Sequence, residues 1–426
     1  MHQIEEAMSR TVETFLAEHG RLTRRFFMKA GAVAASAMMA RPLWADAAER
    51  DARLQAAVDE LESYLTLPDD FRDVSRGNPK PHSLPQEKRA EVGLTRDTWR
   101  LEVKSDPENP VRLRHPMTRE AGTALDFAGL LELGKKHAVR FPKVMTCLNI
   151  GCPLGMGIWE GVPLREVLWL VEPREDVRRV FYYGYHNDDE KQMFRSSLPV
   201  GRILEDYYDL PPVILCYKLN GQWLTPERGG PVRVVVPEGY GFKSIKWLTN
   251  ILLTHQFYAN DTYGEKANDV DSPLKSFAAT LSFPSRVAPG EPIPVTGYAQ
   301  VGISGLSKVQ VWMQNIDSSW PSEDRYFQKA PWQDAEILAP PASWGGGLPD
   351  AKIPAGTRGF DPSGKPKTWP MRLAKVHWAA LLPGLPAGDY TLRSRTIDEK
   401  GTPQPLPRPW RKSGHSAIEE VGITVK

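Results

Sequence analysis

The sequence predicts an α+β domain followed by an all-β sandwich, and three observations carry that prediction. From 98 to 254 short apolar runs alternate with helix-patterned segments. Beyond about residue 272 the helical patterns vanish and period-two runs replace them. The chain has 426 residues, more than one ordinary core holds, with 38 Pro and 34 Gly to supply turns.

Taken in order, "ARLQAAVDELESYL" (52–65) places Leu54, Val58, Leu61 and Leu65 on one helical face. "RGNPKPHSLPQEKR" (76–89) is Pro-rich, polar and irregular. "TWRLEV" (98–103) opens the alternating region. "LDFAGLLEL" (125–133) and "PLREVLWLV" (163–171) read as helices, and "RVFYYGY" (179–185) as a strand. "PVILCYKLNGQWL" (212–224) sets Asn-Gly between two apolar runs, the pattern of a hairpin. "PVRVVVP" (231–237) is a buried strand bounded by prolines, and "SIKWLTNILLT" (244–254) a further strand. In the second region "SFAATLSFPS", "EPIPVTGYAQV", "LSKVQVWMQN", "DYTLRSRTID" and "VGITVK" alternate as strands of a sandwich. The Pro/Gly-rich stretch 339–370 between them reads as a long surface loop.

Composition narrows the function. Net charge is +2 with no basic block, so nothing points to nucleic acid. Three cysteines are too few for a disulfide scaffold, and their odd number leaves at least one free. "TRRFFMKAGAVAASAMMARPLWADA" (23–47) has paired arginines before a mildly apolar stretch that is too short to span a bilayer. It resembles a twin-arginine export signal, a route that carries folded proteins, mostly those loaded with a cofactor in the cytoplasm. Residues 1–47 are therefore expected to be a leader and the mature protein periplasmic.

Cys147 and Cys152 fall in "MTCLNIGCPLGMGIWEGVPLREVL" (145–168), after a predicted strand and before a glycine-rich turn. A cysteine there can ligate a soft metal as thiolate, act as a nucleophile, or pack. With no CxxC, CxxCH or HExxH and nine scattered histidines, a metal site made wholly of protein ligands is not expected. A single cysteine ligand makes sense when an organic cofactor completes the coordination sphere.

Three blocks resemble the sulfite oxidase family of molybdopterin enzymes over about residues 70–426. They are "TC…WEGVPLREVL" (146–168), "LCYKLNGQWLTPERGGPVRVVVPEGYGFKSIKWL" (215–248), and "VTGYAQVGISGLSKVQVWM" with "LPAGDYTLRSRTIDEKGTPQP". The last pair is similar to the family's Ig-like dimerisation domain. The resemblance implies an N-terminal helix and Pro-rich segment at 48–95, a molybdopterin-binding domain at 96–270, and the Ig-like domain at 271–426 with 339–370 inserted. It implies Mo-molybdopterin as cofactor and Cys147 as its molybdenum ligand. Arg233 matches the arginine that meets the pterin phosphate, a planar fork for two oxygens. Ser244 and Lys246 match the next pterin contacts. Arg228 stands where the family often has His, and His186 where it has a polar contact. "SRGNPKPHSLP" resembles the family's Arg-Asn-His-x-Pro loop and places Arg76, Asn78 and His82 at the cofactor, with a plain linker as the alternative. Tyr263 lies near the active-site tyrosine, a hydroxyl able to relay a proton, with Tyr258 in competition.

Two departures bear on substrate. Cys152 occupies a position where sulfite-oxidising members usually carry arginine, and Arg411 and Lys412 stand shifted from the family's C-terminal arginine. A Cys147–Cys152 disulfide would destroy the site; Cys152 is expected on the pocket wall or just behind it, and Cys216 in the core. The resemblance further implies oxygen-atom transfer to or from a small sulfur substrate, sulfite included. It implies electrons exchanged with a separate c-type cytochrome or membrane carrier, since the chain has no haem motif. A homodimer through the C-terminal domain follows as well. A sulfoxide or N-oxide reductase and a cofactor-free binding protein are the competing readings.

Replacing Arg24 and Arg25 by lysine is expected to trap the precursor in the cytoplasm, measured by cell fractionation. Undiminished periplasmic delivery would show that these arginines are not the signal.

Overall fold

The computed structural model describes residues 50–148, 152–264, 269–284, 286–404 and 416–426. The leader, Arg24, Arg25, Arg411 and Lys412 lie outside the described residues. The first region runs α1 (Ala52–Asp59), α2 (Gln86–Glu91), β1 (Arg100–Ser105), β2 (Leu125–Asp126), α3 (Phe127–His137), β3 (Val139–Thr146), β4 (Pro153–Pro163) and α4 (Leu164–Leu170). It continues through β5 (Arg179–Gly184), β6 (Arg195–Pro199), α5 (Val200–Leu204), β7 (Ile214–Leu219), β8 (Gln222–Trp223), β9 (Arg233–Val235) and β10 (Leu248–Thr254).

Local chemistry explains most of these boundaries. The Asp126 carboxylate accepts from the Gly129 N–H and starts α3, whose last turn carries Lys135, Lys136 and His137 against the helix dipole. Asn220 and Gly221 both take positive φ, 51° and 79°, and turn β7 into β8. Two five-stranded sheets result, one ordered β2-β1-β10-β5-β6 and the other β3-β4-β7-β8 with β9 also on β7. Leu101, Leu130, Val167, Tyr182 and Ile251 belong to the core that packs α3 and α4 against these sheets. β3 and β4 are buried along nearly their whole length. Their register slips between Met145 and Thr146, a bulge that re-aims the residues following it.

The second region is all-β, as expected: β11 (Phe277–Ser282), β12 (Ile293–Gln300), β13 (Lys308–Asn315), β14 (Gln333–Ile337), β15 (Lys375–Leu382), β16 (Gly388–Ile397) and β17 (Glu419–Val425). Their order is β11-β12-β15-β14-β13-β16-β17. β14 pairs with both β13 and β15, so the seven strands form one continuous barrel-like path. A parallel bridge from Val287 to Val425 brings its two ends together. Val295, Val309, Trp378 and Leu392 fill the interior.

Four sequence expectations change. The first helix stops at Asp59, because 61–66 runs extended instead: Leu65 N–H donates to Trp344 O (2.9 Å) and Thr66 N–H to Met156 O (2.8 Å). The strand drawn from 244 begins only at Leu248, after a 3₁₀ turn at Gly241–Lys243 and a positive φ (53°) at Trp247. β14, in which every residue is exposed or half-buried, gave no alternating apolar signal. The stretch 339–370 is not a plain surface loop. Its Trp344, Leu348, Ile353 and Phe360 are buried with Tyr64, Val144, Ile158 and Tyr240, between the two regions. Val144 N–H to Leu373 O (2.8 Å) and Lys375 N–H to Met156 Sδ (3.3 Å) complete that junction. Ala52–Lys426 is accordingly one compact unit.

Candidate active site

A cavity of about 330 Å³ opens where β3, β9, the turn before β10 and the segment 71–77 meet. Of the residues singled out from the sequence, Arg76, Cys147, His186, Arg228, Arg233, Ser244, Lys246 and Tyr263 all stand on its wall. These come from seven separate stretches of chain, so their meeting is a property of the fold.

Cys147 follows the last residue of β3. It is half-buried with a free thiol, as is Cys152, and its N–H donates to Cys152 O at 3.3 Å. Among the described residues no group of three or more His, Cys, Asp and Glu side chains could hold a metal ion. Cys147 offers one soft ligand, and the rest of a coordination sphere has to come from a bound group.

Three cations back the cavity. Arg233, at the start of β9, is 4% exposed; its Nη1 donates to Arg228 O (2.8 Å) and its Nη2 to Ser244 O (2.6 Å). No carboxylate pairs with it among the described residues, and it lies 5.2 Å from the centre of the Trp159 ring. Arg228, also 4% exposed, donates to Phe71 O (2.6 Å) and to Glu227 (3.1 Å). The Nε atoms of both arginines are buried without a partner. Lys246 donates to Ser75 Oγ (2.6 Å), Glu227 O (2.6 Å) and Asp73 Oδ1 (3.1 Å). Burial pushes Arg233 down to about 10, the Arg228 charge adding to it. Burial, then the Arg233 charge, push Lys246 down to about 7 against the pull of Asp73. At Asp73 burial acts the other way, but the Ser75 hydroxyl and the Lys246 charge outweigh it and hold the carboxyl below its usual range. Two unpartnered guanidinium N–H groups beside unpaired positive charge fit a bound anion with several oxygen acceptors.

The glycines here serve close approach. Gly229 takes φ 93°, and a Cβ there would meet the Lys246 side chain at 2.6 Å. A Cβ on Gly155, at φ 154°, would enter the Phe71 ring at the same distance. Phe71 in turn meets Trp159 edge-to-face at 5.8 Å, closing the cavity floor.

At the mouth, Arg76 Nη2 donates to the Tyr263 hydroxyl at 2.8 Å and its guanidinium lies 4.6 Å from the centre of the Phe194 ring. Phe194 and Phe242 flank Tyr263 at 5.2 and 5.1 Å. The Tyr263 segment is tied down two residues earlier by Asp261. That buried carboxylate accepts from Ser196, Ser197 and Lys243, the last at 2.8 Å. Tyr258, by contrast, is 59% exposed beside Phe257 and off the wall.

Other expectations are displaced. Asn78 is exposed and off the wall; its N–H donates to Gln192 Oε1 (2.8 Å), and Gln192 stands at the cavity instead. His82 sits behind the wall, stacked on Trp247 with ring centres 6.0 Å apart. Cys152 is likewise off the wall, its sulfur 3.5 Å from the Arg72 guanidinium, while Arg72 itself lines the mouth. Cys216 is buried, as expected. Sequence reasoning missed Asp73, which lies outside the loop pattern, and Ser75, which opens it but was given no role; both reach Lys246 across more than 170 residues. It also missed Lys143 behind the site, fully buried and bonded, among the described residues, to the Gly239 and Val144 carbonyls.

Residues 89–261 match the family model of the oxidoreductase molybdopterin binding domain, which spans most of the elements around the cavity. A stretch of 151 residues is 31% identical to the NADH nitrate reductase of Volvox carteri, covering 30% of this chain and 17% of that protein. The chain thus spans about a sixth of that relative's length. The crystal structure of the sulfane dehydrogenase SoxCD from Paracoccus pantotrophus shares the fold, with a TM-score of 0.53 at 16% identity, over 81% of this chain and 83% of that one. The cavity is therefore that of a molybdopterin-binding oxidoreductase domain. Over residues 89–261 the chain carries a molybdopterin-binding domain of the oxidoreductase kind.

Burial sets a pH dependence. Lys143, pushed down to about 7 by burial, and Lys246 both have folded pKa values below the ordinary 10.5, so unfolding takes up protons above pH 7. Stability of the cofactor-free protein is expected to rise with pH across that window. The urea midpoint should be higher at about pH 8.5 than at about pH 7, and Lys143→Met should flatten the rise. A midpoint that falls over this range contradicts the assignment.

Proposed function

We propose that the protein is an exported oxidoreductase that binds Mo-molybdopterin and transfers an oxygen atom to or from a small sulfur substrate. The observation that carries this is the cavity itself, whose wall brings together one free cysteine thiol and two buried guanidinium groups whose Nε–H donors have no partner among the described residues. When bound, the cofactor supplies two-electron oxygen-atom exchange at molybdenum. Cys147 contributes the protein's one ligand, as thiolate. Arg233 and Arg228 hold the pterin phosphate, with Lys246 adding positive charge and Ser244 fixing the Arg233 fork through its carbonyl. His186 lines the same wall from the end of β5. Phe71, Trp159 and Trp247 exclude water from the reacting end.

Tyr263 and Arg76 face the substrate. The phenol is both donor and acceptor, and the guanidinium bonded to it orients its oxygen for proton exchange at a substrate oxygen. Arg72 and Arg76 bring to the mouth the positive charge that Cys152 does not supply, which suits an oxyanion or a polarised sulfur–oxygen bond. The sulfane dehydrogenase fold neighbour supports a sulfur substrate. Electrons leave through a separate c-type cytochrome or membrane carrier. The C-terminal sheet serves as an Ig-like module for homodimer formation, and the twin-arginine pattern delivers the loaded protein to the periplasm.

Molybdenum and pterin content of the purified protein tests the reading directly; absence of both from protein made in molybdate-replete cells overturns it. Cys147→Ser is expected to keep the pterin and lose nearly all turnover, because a hydroxyl is a harder and poorer ligand. Near-native activity with molybdenum retained would contradict the ligand role. Arg233→Ala removes one partner of a desolvated ion pair, a loss of about 2–5 kcal/mol, and should empty the site at limiting cofactor. Full pterin content after dialysis speaks against it.

A further inference from the structure

We infer that Gln300, on β12 of the C-terminal sheet, is a positioning residue for Cys147, acting through the hydroxyl of Thr146. The inference rests on Cys147 being the metal ligand. Side chains alternate along a strand, and Met145 and Cys147 both face the cavity. Thr146, between them and fully buried, faces the other way, into the junction between the two regions. There its hydroxyl donates to Gln300 Oε1. The amide cannot swing aside, because Gln300 Nε2 donates to Lys275 O at 2.7 Å. Nor can its backbone move, since Gln300 is paired with Phe277 on one side and Lys375 on the other.

Thr146 sits on the bulge that ends β3, the point at which the chain is re-aimed toward the cavity. On its other side, among the described residues, the Cys147 N–H donates to Cys152 O at a long 3.3 Å. The Thr146–Gln300 pair therefore fixes the backbone from which the thiol projects. A valine–leucine pair would fill the same space, so burial alone does not call for two polar groups here. A buried hydroxyl–amide pair instead selects one geometry, because any other leaves both groups unsatisfied. Reactive groups held a fraction of an ångström out of place lose much of their rate.

Thr146→Val and Gln300→Leu remove the bond from either side, and Thr146→Ser keeps it. In the loaded enzyme the first two variants should shift the Mo(V) electron paramagnetic resonance spectrum and lower kcat about ten- to a hundredfold, with KM nearly unchanged. Thr146→Ser should match wild type in both. In cofactor-free protein, iodoacetamide should modify Cys147 several-fold faster in Thr146→Val and Gln300→Leu than in wild type, resolved from Cys152 by peptide mass spectrometry. Should Gln300→Leu fail to fold, Thr146→Val, nearly isosteric, decides alone. A wild-type spectrum and wild-type alkylation rate in Thr146→Val, or a Thr146→Ser that behaves like Thr146→Val, overturns the inference. If the protein binds no molybdenum, the proposed function fails, while the alkylation comparison still decides the positioning role.

Discussion

Arg233 is the constraint around which the cavity is organised: a guanidinium removed from water, held among the described residues by two carbonyl oxygens and against an indole ring. Burying an ion without its counter-ion costs several kcal/mol. The chain offsets part of that by turning the Arg228 and Ser244 carbonyls inward, and it leaves the Nε donor for something it does not itself contain. Arg228 repeats the arrangement, with one carboxylate at its outer edge. A protein that carries such a deficit gains stability from whatever anion fills it, so binding and folding are linked here.

The surroundings follow from keeping that charge in place. β9 is only three residues long but is buried and paired to β7, which holds Arg233 rigid. Gly229 lets Lys246 lie close over the turn. The segment 71–77 then supplies the compensating acid, Asp73, to Lys246 and none to Arg233. Positive charge is thereby neutralised at the rim and preserved at the bottom. The Asp261–Lys243 pair, by contrast, is a closed ion pair bonded to two serines, and it serves to hold the Tyr263 segment down.

Much of this was legible in the sequence where the determinants are local. The Asn220–Gly221 turn, the α3 start at Asp126, the buried β9 run and the switch to alternating strands near 272 all rest on nearest neighbours. The strand end at Cys147 is local too, whereas its role as a ligand is carried by the motif around it and not by its neighbours alone. What could not be read depends on contacts across the chain. Asp73 looks like any loop aspartate, and only the fold brings it to Lys246. By sequence Lys246 alternates within a strand run, whereas in the fold it precedes the strand, because the positive φ at Trp247 breaks the run. Asn78 fitted a loop pattern, yet Gln192 holds that ground, since the pattern fixes the backbone and not which amide turns inward. The 339–370 stretch has the composition of a surface loop, and its Trp344 and Phe360 gave no sign that they would fill the seam between two regions.

The segment from Leu65 to Arg72, broken by a 3₁₀ turn at Pro68–Asp70, is tied to β4 by Thr66 N–H to Met156 O and by Arg72 N–H to Leu154 O, and its Phe71 O accepts from Arg228. Phe71 fills the space that Gly155 leaves and forms part of the cavity floor. A molecule seated on that floor is enclosed by a piece of chain that lies far from the rest of the site in sequence. Its escape on that side requires this segment to peel away, breaking several hydrogen bonds and exposing two aromatic rings together. The floor is thus as durable as those hydrogen bonds and that ring contact together, which leaves the mouth beside Arg72 and Arg76 as the route by which a bound molecule comes and goes.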